Sequence, residues 1–189
     1  MNPILLDFPE EITTARLRLR PPAMADAADM NRAIDESRER LLPWMPWAQA
    51  ERMTTAQRAA WCMESYARFL LRQDLLFLMF DRANSRFLGG TGLHRLDWSV
   101  PAMEVGYWIR TGAEGHGYVS EAVGALTDFA FQVLKAHRLE IRCDAANVRS
   151  VAVAKRAGYQ LEARLKNQRR HHITGELRDT LLFASTLPD

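Results

Sequence analysis

Residues 110–123, RTGAEGHGYVSEAV, set three glycines between a strand-like apolar run and a helix-like one. A loop that only joined two elements would not need Gly112, Gly115 and Gly117 together. Glycines let successive backbone N–H groups turn toward one point and let a ligand approach closely. A helix opening near Tyr118 adds unpaired N–H groups and the positive end of its dipole. The stretch therefore reads as an anion cradle. Three or four charge-assisted hydrogen bonds of roughly 1.5–3 kcal/mol each, less ordering costs, suffice for micromolar binding of a phosphate ligand, about −8 kcal/mol. On this stretch alone, a connecting loop without a ligand stays open.

Working outward, AMEVGYWIR (102–110) reads as the strand entering the loop and VSEAVGALTDFAFQVLKAH (119–137) as the helix leaving it. Before them, LLFLMF (75–80) is continuously apolar, so a strand buried on both faces is expected, and FLGGTGLHRL (87–96) follows as its neighbour. RANSR (82–86) is the turn between the two. TARLRLR (14–20) alternates apolar and polar residues, a strand with one wet face that Pro21 and Pro22 end. MADAADMNRAI (24–34) reads as a short helix. RERLLPWMPWAQ (38–49) reads as irregular, and a long helix capped by Thr54 or Thr55 runs through Leu71. After the loop come a strand RLEIRCDAA (138–146), a helix VRSVAVAKRAG closed by Gly158, and two strands joined by a hairpin containing HHITGE. The order is strand, two helices, three strands, helix, strand, helix, two strands. That mixture predicts an α/β (α+β) fold with a mixed, mostly antiparallel sheet of about six to seven strands and helices on both faces. Without a repeat or linker, residues 1–189 are expected to be one domain.

The phosphate ligand is constrained by what is missing. A P-loop needs Gly-Lys-Ser/Thr at the helix start, and Tyr118 follows Gly117. A dinucleotide fingerprint needs a third glycine where Ser120 stands, and no clear acidic residue closes the next strand. A second motif, NVRSVAVAKRAGYQLEA (147–163), opens with Asn147 after a strand end. Ser150 follows three residues on, so both can share a helix face and look back toward the first loop, with Lys155 and Arg156 further along.

With these stretches in hand, the sequence resembles the GNAT acyltransferases, which use acetyl-CoA. More narrowly it resembles the branch that acetylates ribosomal-protein N-termini on alanine or serine. TARLRLRPP is similar to the branch's opening strand, LLPWMPWA to its paired-tryptophan loop and MEVGYWIR to its Glu and Gly-Tyr-Trp strand. EGHGYVSEAV resembles the pyrophosphate loop, NVRSVAVAKRAGY the helix along the pantetheine and GELRDTLLFA the last strand. The likeness spans nearly the whole chain in order. Two positions depart from the pattern: Glu114 stands where the loop usually begins with Gln or Arg, and Val119 where it ends with Gly or Ala. Glu114 beside a phosphate is electrostatically odd and is expected to point outward. The position of the family's tyrosine acid is Ala154, so the branch transfers that job to Ser150.

The resemblance implies the acyl-CoA N-acyltransferase fold, with its sheet splayed in the middle, and acetyl-CoA as cosubstrate. Tyr107, Trp108 and Ile109 would pair with the pantetheine, a free N–H near Tyr107 or Trp108 meeting the thioester oxygen while Gly106 permits the bulge. Glu114, Gly115, His116, Gly117, Tyr118, Val119 and Ser120 would hold the diphosphate, and Asn147, Ser150 and Lys155 the rest. Acetyl transfer needs a neutral amine, a polarised carbonyl and a proton for the leaving thiolate. Ser150 is the candidate proton donor. Glu104, in an otherwise apolar run where burial would raise a carboxyl's pKa, is the candidate base. Trp44, Trp47, His94 and Trp108 are expected on the acceptor side. An α-amine of pKa ~8 is roughly a tenth neutral at pH 7, so an N-terminal acceptor needs little help.

Bulk properties agree with a soluble enzyme. The 189 residues carry a net charge of +2, too little to imply direct nucleic-acid binding, although Arg164–Arg178 is locally basic. Cys62 and Cys143 read as reduced thiols of a cytoplasmic protein. No run reaches ~18 apolar residues, and the acidic N-terminal stretch is unlike a secretory signal, so neither membrane nor export is expected. No metal constellation is visible, His171 and His172 being adjacent with diverging side chains. RRHH (169–172) reads as a solvated hairpin, or as a patch for an acidic acceptor or a ribosomal surface. A homodimer is compatible with the sequence. Two other classes stay open, a catalytically silent acyl-CoA-binding module and a nicotinamide-dependent oxidoreductase.

Overall fold

Leu17 and Leu19 are fully buried while Arg18 and Arg20 between them are half-buried, the pattern a half-wet strand requires. In the computed structural model, which describes residues 2–186, this strand sits near one edge of an eight-stranded sheet. The strands are β1 (Ile12–Thr13), β2 (Leu17–Arg20), β3 (Leu75–Asp81), β4 (Phe87–Asp97), β5 (Ala102–Ile109), β6 (Arg138–Asp144), β7 (Gln160–Arg170) and β8 (Leu177–Thr186). Their order is β1-β2-β3-β4-β5-β6-β8-β7. Every pairing is antiparallel except β5 with β6. The expected six to seven strands become eight because β1, two residues long, pairs with β2 and is too short to leave a periodicity.

The helices are α1 (Ala27–Leu41), α2 (Thr55–Leu70), α3 (Tyr118–Gln132) and α4 (Val148–Arg156). Thr54 caps α2, its hydroxyl accepting from the Gln57 N–H while the Gln57 side chain accepts from the Thr54 N–H. Gly158, at φ +83°, lies just past the end of α4 as expected. Helix α1 is longer than the short helix expected. It runs on to Leu41, with Ser37 and Leu41 continuing its buried face, and Pro43 lies just past its end.

Strand β3 is buried on both sides, so it feeds two cores. Phe77 and Met79 join Leu93, Val105 and the α3 residues Ala122, Leu126 and Phe129. Leu78 and Phe80 join Met30 and Ala33 of α1, Cys62 of α2 and Phe87. Side chains alternate along a strand, so α3 and α1 cover opposite faces. Each fully buried Leu or Phe contributes about 1.5–3 kcal/mol, which fixes the register across the central strands.

The feature that positions the site is a short parallel contact. β5 pairs with β6 only at Ala102, Met103 and Glu104, and from Val105 onward the two strands separate. On its other side β5 stays paired to β4, with Gly106 opposite Gly92 and Trp108 opposite Gly90. The splay expected in the middle of the sheet is this gap.

Candidate functional site

The Arg110 N–H donates to the Leu88 carbonyl at 2.8 Å, continuing the β4–β5 ladder. Alternation then turns the N–H groups of Gly106 and Trp108 toward β4 and those of Tyr107 and Ile109 into the gap. Tyr107 therefore has the amide expected for a thioester oxygen, and Trp108 does not. Trp108 instead puts its indole on the opposite face, edge-on to Trp47 at 5.7 Å between ring centroids. A cleft of about 650 Å³ joins this face, through the gap, to the start of α4. Trp44, Trp47, His94, Glu104, Tyr107 and Ser150 all line it.

At the far end of the gap, α4 begins with Asn147, whose side-chain oxygen caps the helix by accepting from the Ser150 N–H at 3.1 Å. The expected pairing of these two residues is thus a helix cap. The Ser150 hydroxyl is 2.8 Å from the Tyr107 hydroxyl, a contact not foreseen from the sequence. Burial pushes the Tyr107 phenol up to about 12, the hydrogen bond to Ser150 offsetting part of the shift. Both hydroxyls therefore stay protonated at neutral pH. The neighbouring Cys143 thiol is likewise pushed up by burial, so it is no thiolate nucleophile.

The glycine loop follows β5. Gly115 and Gly117 have φ +80° and +78°, a conformation that costs a residue with a side chain about 1–2 kcal/mol. No heavy atom lies within 4 Å of where a Gly115 Cβ would stand, and a Gly117 Cβ would only touch Arg16 Nη2 at 3.5 Å. Among the described residues, no backbone N–H from Gly115 to Ser120 donates a hydrogen bond, and the first of α3 runs from Glu121 to the Gly117 carbonyl. Six consecutive donors are thus available where the cradle was expected. Gly112 does not share this role: it has no positive φ, and its Cβ would meet the Arg86 and Glu36 side chains.

Side chains around the loop support it from outside. His116 stacks on Tyr118, and its Nδ1 lies 2.8 Å from the Glu114 carbonyl. Val119 packs against the larger core, so its extra bulk stays out of the cradle. Glu114 does not simply turn outward; it forms an ion pair with Arg149 at the start of α4. That neutralises the charge that made the residue odd beside a phosphate, and it ties the loop to α4. Arg16 braces the other side, donating from Nη1 to the His116 carbonyl at 2.8 Å and from Nε to Glu121 at 2.6 Å. Neither arginine was identified from sequence. Arg16 lies about a hundred residues upstream of its partners, and no local pattern announces the contact. Lys155 is exposed in the last turn of α4 and does not line the cleft.

Glu104 departs from expectation. It lies among guanidiniums rather than apolar groups, with Oε2 3.4 Å from Arg95 and 3.7 Å from Arg142. The strand around it is apolar only on its other face, where Met103 and Val105 are buried. His171 and His172 also behave differently. Their rings do not diverge but stack at 5.1 Å, and their Nε2 atoms donate to the carbonyls of Pro43 and Leu42 at 3.1 and 2.6 Å. The hairpin is therefore latched onto the tryptophan loop. Arg38 clamps that loop from below through the Ala48 and Ala50 carbonyls. The rim so formed is basic, with Arg58, Arg169 and Arg170 on it. Among the described residues no helix is long and apolar enough to cross a membrane, and no cluster of three or more potential metal ligands is found.

Comparison with known proteins gives this geometry a context. The acetyltransferase (GNAT) domain matches residues 16–160. The ribosomal-protein-serine acetyltransferase of Escherichia coli (strain K12) is 31% identical over 91 residues, 48% of this chain and 50% of that protein. The chain spans about half the length of the curated relatives it matches, between 43% and 64%. Mycobacterium smegmatis RimJ, solved with a CoA disulfide, superimposes with a TM-score of 0.85 at 25% identity, over 100% of this chain and 93% of that one. The microcin C7 self-immunity acetyltransferase MccE, solved with acetyl-CoA and AMP, shares the fold at a TM-score of 0.84 and 20% identity, over 92% and 94% of the chains.

Proposed function

The chain belongs to the GNAT acetyltransferase family, and from that premise we propose that residues 1–189 form one acetyltransferase domain that moves an acetyl group from acetyl-CoA to a primary amine. The acceptor is a protein N-terminal α-amine or a small amine, and the setting is the cytoplasm. One observation carries the reading. Six unused amides at Gly115–Ser120 follow closely on β5, the strand that borders a gap in the sheet beside Tyr107, and the cleft opens from that gap. A diphosphate suits the amides, a pantetheine arm suits the gap as an extra half-strand, and the amine comes from the tryptophan side.

In this reading Gly115 to Ser120 hold the diphosphate, with His116, Tyr118 and Val119 shaping the loop and Glu114 tying it to α4 through Arg149. Asn147 sets the first turn of α4 and so aims Ser150. The Tyr107 amide polarises the carbonyl, where a preorganised donor is worth more than one recruited from water. Ser150, bonded to Tyr107, gives a proton to the departing sulfur. Trp44, Trp47 and Trp108 bound the acceptor side, and the basic rim favours an acceptor carrying negative charge near its amine.

The test is a panel of peptides and small amines assayed for thiol release from acetyl-CoA, beside thermal-shift measurements with CoA and NAD(P)H. Turnover with at least one amine and stabilisation by CoA alone are expected. Stabilisation without turnover on any amine would leave a binding module and overturn the proposal. Ser150→Ala should lower kcat about 100-fold while the acetyl-CoA dissociation constant stays within twofold.

A further inference from the structure

His94, expected from the resemblance only as part of the acceptor wall, belongs to an ionisable pair that the sequence did not announce. His94 on β4 has its Nδ1 2.8 Å from Asp74 Oδ2, at the residue just before β3. Its other nitrogen, Nε2, makes no hydrogen bond among the described residues and belongs to the cleft wall. The imidazole lies flat over two glycines that face each other across the strands, Gly92 and Gly106. A Cβ at Gly92 would stand 3.0 Å from His94 Nε2, and one at Gly106 2.8 Å from its Cδ2. The cross-strand glycine pair is thus the seat of the ring. Gly106 directly precedes Tyr107, so Nε2 sits one residue from the amide assigned to the thioester oxygen. Glu104, directly opposite His94 across the ladder, also lines the cleft, but its Oε2 is 3.4 Å from Arg95 and 3.7 Å from Arg142, two cations that pair with the carboxylate.

We infer that His94, oriented by Asp74, is the base that receives the proton of the acceptor ammonium. The inference rests on the acetyl-transfer reading above. The carboxylate partner fixes the tautomer with hydrogen on Nδ1 and leaves the Nε2 lone pair facing the cleft. Nε2 takes one proton from the ammonium, and the freed lone pair forms the N–C bond at the thioester carbonyl carbon. The C–S bond breaks, the new amide nitrogen loses its second proton, and the sulfur gains one through the Ser150 hydroxyl. One proton thus ends on the thiol, one leaves on His94, and nothing is oxidised or reduced. Asp74 is a positioning residue in this scheme.

The test uses the full chain and the best acceptor from the amine panel. His94→Ala should lose about 100-fold or more in kcat while acetyl-CoA raises its melting temperature as in the parent. Added imidazole should restore part of that rate, because the glycine seat stays open. With trifluoroethylamine, a far weaker base whose nitrogen is almost wholly neutral at pH 8, the loss should shrink to a few-fold. Asp74→Asn should lose about tenfold in kcat with the Michaelis constant for acetyl-CoA unchanged, and Asp74→Glu should recover part of it. Full activity of His94→Ala overturns the inference, as does a loss equal for both amines and insensitive to imidazole. Glu104→Gln losing as much as His94→Ala would return the role to Glu104. A parent enzyme that releases no thiol with any amine would remove the acetyl-transfer reading, and this inference with it.

Discussion

In the proposed reading, the loop at residues 115–120 and the acceptor wall of the cleft recognise their partners with different parts of the polypeptide. The loop presents main chain: six adjacent N–H groups, two left-handed glycines and no side chain in the way. The wall presents side chains drawn from separate segments, Trp44 and Trp47 before α2, His94 on β4, Trp108 on β5 and the arginines of the β7–β8 hairpin. A main-chain site must be contiguous, so its chemistry is written in a few consecutive residues. A side-chain site is assembled by the fold, and its members carry no mark of belonging together until the strands are in register.

The sharpest way to break this contrast is Gly117→Val. Its Cβ would meet only Arg16, so the effect should come from the strained backbone and from closing the approach to the amides. Losing two charge-assisted bonds, about 3 kcal/mol together, should raise the Michaelis constant for acetyl-CoA about 100-fold and leave that for the amine unchanged. An unchanged value in steady-state kinetics would mean that the amides are not the phosphate site. Trp47→Ala probes the other region. Removing its edge-on contact with Trp108 should raise the Michaelis constant for the amine about tenfold and spare acetyl-CoA. A change in both constants would join two regions that are separate here.

The third and smallest effect concerns the brace that holds the loop from outside. Burial pushes the Glu121 carboxyl up, but hydrogen bonds from Thr14 and Arg16, with the Arg16 charge, outweigh it and hold the carboxyl below its usual range. A carboxyl lowered by folding adds stability above its unfolded value, near 4.3, and that stability is lost as pH falls through the folded value. Arg16 is half exposed, so the contribution is about 1 kcal/mol. Glu121→Gln should therefore melt about 2–4 °C lower at pH 7, and the difference should close as acid titrates the folded carboxyl. A gap that persisted in acid would remove the ion pair from the brace.

The same contrast explains what could be read before folding. Gly115, Gly117 and the opening of α3 were legible because the donors are consecutive. Helix α2 and the end of α4 were legible because Thr54, Gln57 and Gly158 act within one turn. The Ser150–Tyr107 contact was not, since it spans 43 residues and depends on where β5 leaves β6. The surroundings of Glu104 were misjudged for a related reason. A run of apolar neighbours along a strand describes both faces together, whereas the charged neighbours of Glu104 come from β6 and from Arg95 beyond the cross-strand pair. His94 was seen as part of the wall, but its partner Asp74 lies twenty residues earlier, outside any strand.

The latch between the last hairpin and the tryptophan loop has a further consequence. His171 and His172 grip oxygens of the main chain at Pro43 and Leu42 rather than any side chain. Whatever residues replace the tryptophans, the rim keeps its attachment as long as the chain keeps its course. In the proposed reading, acceptor preference can thus be rewritten by exchanging residues on the held loop, with the other side of the gap left as it is, and the two imidazoles serve as the fixed point about which the loop varies.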